Sequence, residues 1–118
     1  YSWGNDINSS RANYNWDGDV YDGDDFKQTR DVGQYAANPW GFFDMHGNVK
    51  EWTADWYLAA YPTGNPVVDP TGPASGSLRV HRDGGWASTI LRSALRVSRD
   101  PGASGNSLGF RVGFQKSQ

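Results

Sequence analysis

The sequence contains no cysteine, which removes disulfides, thiolate metal sites and cysteine nucleophiles together and leaves the redox compartment open. Aliphatic content is thin. Hydrophobic residues fill 36% of the 118 positions, whereas aromatics alone reach 14% and include six tryptophans, so the core is expected to rest on a few large rings. No apolar run approaches the roughly 20 residues that span a bilayer, and no basic segment followed by an apolar block marks a signal peptide. An excess of positive charge is also missing. Thirteen acidic against eleven basic residues give a formal net charge of −2, which offers no long-range attraction to nucleic acid.

Turn chemistry is what the chain has in quantity. Fifteen glycines and six prolines describe a loop-rich globular domain, and this length suits one domain, residues 1–118. The charges are unevenly placed. Asp17, Asp19, Asp22, Asp24 and Asp25 come early, whereas Arg79, Arg82, Arg92, Arg96, Arg99 and Arg111 come late. Residues 15–28 alternate Asp and Gly with too little apolar periodicity for a regular element. Such an ordered acidic loop is either a solvated turn or a calcium-binding loop, and it lacks EF-hand spacing.

Residues 29–35 read as a short strand, after which Asn38-Pro39 forces a turn. Residues 49–57 place Val49, Trp52, Thr53 and Trp56 at helical spacing, so a short helix competes with a strand over 49–53. Four of the six prolines fall in 61–77, an irregular connection. Strands are expected at 78–82, 93–98 and 108–114, the last with Phe110, Val112 and Phe114 on one face, and residues 101–107 form a second loop. Within 38–57, Trp40, Trp52 and Trp56 and the neighbouring aromatics are expected in the core, while Asp44, Glu51 and Asp55 offer hard oxygen donors near the Gly47-Asn48 turn. His46, inside that turn, reads as a structural hydrogen-bonding residue. No acid–base pair or Ser-His-Asp arrangement stands out from the inventory.

These pieces resemble the sulfatase-modifying factor family, the formylglycine-generating enzymes and their non-enzymatic relatives. The motifs that carry the resemblance are Trp3-Gly4-Asn5, Pro39-Trp40-Gly41-Phe42-Phe43-Asp44-Met45-His46-Gly47-Asn48-Val49 leading to Glu51-Trp52, Asp69-Pro70-Thr71-Gly72-Pro73, Gly76-Ser77-Leu78-Arg79-Val80, Leu91-Arg92-Ser93-Ala94, and Leu108-Gly109-Phe110-Arg111-Val112. The resemblance implies an α+β, C-type-lectin-like fold with short antiparallel strands and little helix. It covers the C-terminal half of such a domain, so the chain is expected to be part of a larger one. The missing N-terminal half, or another chain, would be its partner.

The resemblance also implies structural calcium at one or two sites. Asn13, the Tyr14 carbonyl, Asp24 and the Phe26 carbonyl would form one, and Asp44, the Gly47 carbonyl, the Val49 carbonyl and Glu51 the other. The family's oxidase chemistry needs two copper-binding cysteines, the first of which would fall near Ser88. Without them copper and formylglycine-generating activity are not expected. The expected function is a calcium-stabilised module for a protein or small-molecule ligand, with Trp86, Ser88, Thr89, Ile90, Arg92 and Arg96 as the candidate ligand surface. Two alternatives stand: the regulatory or substrate-binding part of an enzyme of the sulfoxide-synthase type, whose metal domain lies elsewhere, and a variable binding protein of a diversity-generating retroelement. Location is left undetermined, with an extracytoplasmic one compatible with the sequence.

Overall fold

A computed structural model of the chain describes residues 1–15, 28–60, 72–82 and 84–113. Its regular structure is one four-stranded sheet of order β3-β2-β1-β4, built from β1 (Lys50–Trp56), β2 (Arg79–Arg82), β3 (Arg96–Arg99) and β4 (Leu108–Phe110). No helix occurs among the described residues.

At 49–57 the strand wins over the helix. Thr53 is β-branched, and the aromatic residues Trp52 and Trp56 sit on a pleated, half-buried surface, where such side chains are favoured. Pairing holds the strand in place. Trp52 faces His81 and Trp56 faces Arg79 across the antiparallel β1–β2 pair, with the register slipping between them. The expected strand at 93–98 starts three residues later and ends one later, at Arg96–Arg99, because a turn closed by Leu95 N–H on the Arg92 carbonyl at 2.8 Å occupies its start. The strand expected over 108–114 ends at Phe110, and residues 29–35 form turns instead of a strand.

Two of the three pairings are antiparallel, and β4 runs parallel to β1. The crossover follows from position. β3 and β4 lie on opposite edges, so the chain between them crosses three strand spacings, about 14 Å, which no tight turn can do. The loop at 100–107 bridges that gap. It begins with a turn in which Asp100 Oδ1 accepts the Gly102 amide at 2.8 Å and ends where the Gly105 carbonyl accepts the Leu108 amide at 3.2 Å.

The core cluster is built from residues outside the strands: Ala12, Tyr14 and Leu91 are buried together, with Tyr1 and Ile7 packed against them. Val80 and Trp86 are buried as well. The expectation of a tryptophan core at 38–57 is corrected here: Trp52 and Trp56 are half-buried, and Trp40 is 76% exposed, with Phe42, Phe43 and Met45 also on the surface. Backbone geometry accounts for this. Gly41, Asp44, Gly47 and Asn48 all adopt positive φ, and the Asn38 side chain accepts the Trp40 and Phe42 amides, each at 3.0 Å. A segment that reverses this often cannot turn successive rings toward one side.

Candidate functional site

Two places gather the candidate residues. The first is a knot around Asn13 and Asn48, both buried. Asn48 stands at φ 66°, a left-handed conformation that asparagine tolerates better than most residues. From there it joins three other segments. Its amide donates to the Asn13 carbonyl at 2.8 Å, its side chain pairs with both the Arg30 amide and carbonyl at 2.8 and 3.1 Å, and its carbonyl accepts the Trp86 amide at 2.9 Å. Asn13 Nδ2 donates to the Gln28 carbonyl at 3.0 Å and to Asn48 Oδ1 at 3.2 Å. Asn13 Oδ1, in contrast, is buried with no hydrogen-bond partner. A buried amide oxygen left this way carries a desolvation cost of about 1–3 kcal/mol and is a hard donor suited to calcium. Tyr14 lies beside it in the core, while Asp24 and Phe26 fall outside the described residues.

The second oxygen set lines one cleft. Asp44, Gly47, Val49 and Glu51 share it with Val32, Phe43, Phe110 and Arg111. The Arg111 guanidinium takes a cation's place in it, donating to both Glu51 carboxylate oxygens at 2.6–3.1 Å and to the Phe43 and Asp44 carbonyls at 2.8 and 3.0 Å. Asp44 Oδ2 accepts the Gly33 amide at 2.7 Å. No group of three or more His, Asp or Glu side chains is placed to hold a metal among the described residues, so a cation at the second set would depend in part on carbonyl oxygens.

On the other side of the knot, the loop at 87–90 roofs a cleft of about 460 Å³ over the sheet, lined by Lys50, His81, Leu95, Val97, Ser98 and Arg99 together with Ser88, Thr89 and Ile90. The register puts Lys50, His81, Val97 and Arg99 on one face: His81 stands opposite both Trp52 and Val97, and Lys50 and Arg99 are each two residues along a strand from those partners. Thr89 and Ile90 are exposed, Ser88 is half-buried, and Trp86 is buried beneath them, its indole N–H donating to the Asn106 carbonyl at 3.2 Å. Arg92 is exposed. Arg96 belongs to a different place, donating to the Leu58 and Ala59 carbonyls at 2.7 and 2.9 Å. Thus Ser88, Thr89 and Ile90 come together at the cleft, whereas Trp86, Arg92 and Arg96 do not line it.

Sequence reasoning missed Lys50, His81, Arg99 and Arg111. Alternation along β1 and β2 was the available signal for the first two. His46 plays the structural role expected of it: its ring is buried, Nδ1–H donates to the Leu91 carbonyl at 2.8 Å, and the ring meets Tyr1 and Trp3 edge-on at 5.1 and 5.0 Å.

His81 is buried, and its Nδ1 has no hydrogen-bond partner. Burial, followed by the positive charges of Lys50 and Arg99, holds its pKa below the ordinary histidine value. Below about pH 6.5 the unfolded chain therefore binds a proton that the folded chain resists, and stability falls as pH drops, by up to about 1.4 kcal/mol per unit, until the folded-state pKa is passed. His81→Gln is expected to flatten that slope in urea denaturation at pH 7 and 5.5.

Residues 1–115 match the sulfatase-modifying factor enzyme 1-like domain. The chain is 39% identical over 115 residues to the serine/threonine-protein kinase pkn1 of Chlamydia caviae, covering 94% of this chain and 17% of that protein. It is 32% identical over 125 residues to the formylglycine-generating enzyme of Streptomyces coelicolor, covering 94% and 39% respectively. Among solved structures, Treponema denticola variable protein 1 aligns with a TM-score of 0.71 at 33% identity over 86% of this chain and 34% of that one. PvdO from Pseudomonas aeruginosa aligns with a TM-score of 0.67 at 29% identity, over 91% and 40%. The chain spans well under half the length of each of these relatives. It belongs to the sulfatase-modifying factor family, with that family's loop-rich fold and without a cysteine.

Proposed function

We propose that this chain is a non-catalytic, calcium-stabilised recognition module within a longer protein. The observation that carries the reading is the loop at 87–90: where the resemblance would place a first copper ligand, Ser88 stands in a chain with no cysteine, and exposed Thr89 and Ile90 roof a cleft instead. A soft thiolate copper site cannot be assembled from these residues. The similarity to Treponema denticola variable protein 1 is in keeping with an exposed loop whose side chains can vary. Similarity to a kinase of which the chain spans 17% favours a recognition part appended to chemistry located elsewhere. The exposed apolar side chains of Val32, Phe43 and Phe110 around one cleft suit packing against the rest of such a protein or a second chain.

The test is direct. With copper and a cysteine-containing sulfatase peptide, mass spectrometry is expected to find no formylglycine, and conversion of the cysteine would sink the reading.

Calcium belongs to the same proposal. The unpartnered Asn13 Oδ1 favours the set of Asn13, Tyr14, Asp24 and Phe26. At the second set the Glu51 carboxylate is already neutralised by Arg111 at 2.6 Å, so an ion there has to displace a guanidinium. At a hundredfold excess over Kd, calcium is expected to stabilise the fold by about 2.7 kcal/mol, or roughly 10 °C in Tm. Asp24→Asn should abolish the shift and Glu51→Gln should retain it. An unchanged Tm in chelated and calcium-loaded protein would remove calcium from the account.

A further inference from the structure

The cleft under residues 87–90 has a polarity that its place in the fold does not require. Its lining holds two cationic side chains, Lys50 and Arg99, and no aspartate or glutamate among the described residues. Hydroxyl groups come from Ser88, Thr89 and Ser98, and apolar surface from Ile90, Leu95 and Val97. At its sheet face stands His81, 4% exposed, with a ring nitrogen that has no partner. Buried polar atoms in folded proteins are nearly always satisfied, and an unsatisfied one at a cleft calls for an account. Two like charges come from the strands that flank β2, Lys50 on β1 and Arg99 on β3, with no counter-charge in the lining among the described residues, and they raise the same question from the electrostatic side.

We propose that this cleft binds a small organic carboxylate, its charge held between Lys50 and Arg99, its oxygens met by His81 and the Ser88 and Thr89 hydroxyls, and its apolar body lying against Ile90, Leu95 and Val97. The assignment rests on residues 87–90 being a recognition surface and adds the class of ligand. Its chemistry is consistent throughout. A carboxylate supplies the charge that Lys50 and Arg99 lack, and an apolar body uses wall surface that a bare inorganic anion leaves wet. Depending on its tautomer, His81 Nδ1 donates to a carboxylate oxygen directly or accepts a bridging water. A bound anion also offsets the two cations that hold the His81 proton affinity down. Binding therefore raises that affinity, and uptake of a proton accompanies binding at pH values below the ordinary histidine pKa.

Isobutyrate is the probe. Its titration, followed by NMR of the His81 ring and the amides at 88–90, is expected to saturate in about the millimolar range, as suits a ligand of so few atoms. Lys50→Met and Arg99→Met should each weaken isobutyrate about fivefold or more at low salt and leave the neutral analogue isobutyramide unaffected. Both side chains lie at the surface of the sheet, so neither change threatens the core. Equal affinity for isobutyramide would overturn the carboxylate assignment while leaving the loop as a recognition surface. Equal affinity for inorganic phosphate would reduce the cleft to a bare anion site and overturn it as well. If neither organic probe moves the His81 signals, the cleft is not a ligand site and the assignment falls, independently of the peptide-oxidation result that decides the non-catalytic reading.

Discussion

Gly47→Ala is expected to cost about 2–5 kcal/mol, a large fraction of the stability of a domain that typically has about 5–15 kcal/mol in all. Gly47 stands at φ 86°, and a Cβ placed there would lie 2.4 Å from the Asn13 carbonyl oxygen and within 3.2 Å of the Asn13 carbonyl carbon and amide nitrogen. Two costs add. The left-handed conformation costs an L-residue about 1–2 kcal/mol. Relieving the clash means pushing away backbone whose carbonyl accepts the Asn48 amide at 2.8 Å, and a buried pair broken in this way costs about 1–3 kcal/mol more. The damage would also spread, because Asn13 and Asn48 together tie the segments at 12–14, 28–30 and 85–86 to one turn. Urea denaturation would show a lower midpoint with little change in m. A loss below about 1 kcal/mol would mean that the knot is more plastic than its burial suggests.

That knot also shows where sequence reasoning stops. Gly47 and Asn48 are legible as a turn, since glycine followed by asparagine at positive φ has a local physical cause. That the turn's amide and carbonyl would reach Asn13 and Trp86 has no local cause, because those partners lie more than thirty residues away in both directions. The tryptophans fail for a related reason. Trp40 and Trp52 have equal hydrophobic weight in the sequence, but Trp52 lies on a paired strand and Trp40 on a run of turns. Burial follows backbone direction, which composition does not encode. The helical spacing at 49–57 was outweighed by pairing on both edges, with β2 on one side and β4 on the other. The strand at 78–82, which forms over 79–82, was legible from the alternation of Leu78 and Val80 with Arg79 and His81, but alternation gives no sign that His81, on the face opposite Val80, is buried too. Arg111 is one of the late arginines and part of the closing motif, yet its bond to Glu51 spans sixty residues and is found only in three dimensions. The candidate ligand surface divides the same way: the contiguous residues Ser88, Thr89 and Ile90 share a cleft, whereas Arg96, close in sequence, turns to the carbonyls of 58 and 59.

Leu91→Ala is expected to destabilise the fold by about 3 kcal/mol, within the 2–5 kcal/mol typical of a fully buried leucine, while Ile90→Ala and Thr89→Ala stay within about 0.5 kcal/mol of the parent. Leu91 is 0% exposed in the cluster with Ala12 and Tyr14, whereas its neighbour Ile90 is 55% exposed. Its side chain packs so closely on Gly84 that a Cβ there would lie 2.3 Å from Leu91 Cδ2, and its carbonyl accepts the buried His46 N–H at 2.8 Å. Truncation leaves a cavity that Gly84, having no side chain, cannot fill. The contrast between adjacent residues matters for function. A loop anchored at one end by Leu91, with Trp86 buried under its other end, can change the chemistry of 87–90 without disturbing what holds it in position. A recognition surface needs that separation of stability from specificity. Thermal melts of the three alanine variants, run in parallel, test it: an Ile90→Ala loss approaching that of Leu91→Ala would show that the loop is part of the core, and its residues would then be constrained by packing and not free to serve a ligand.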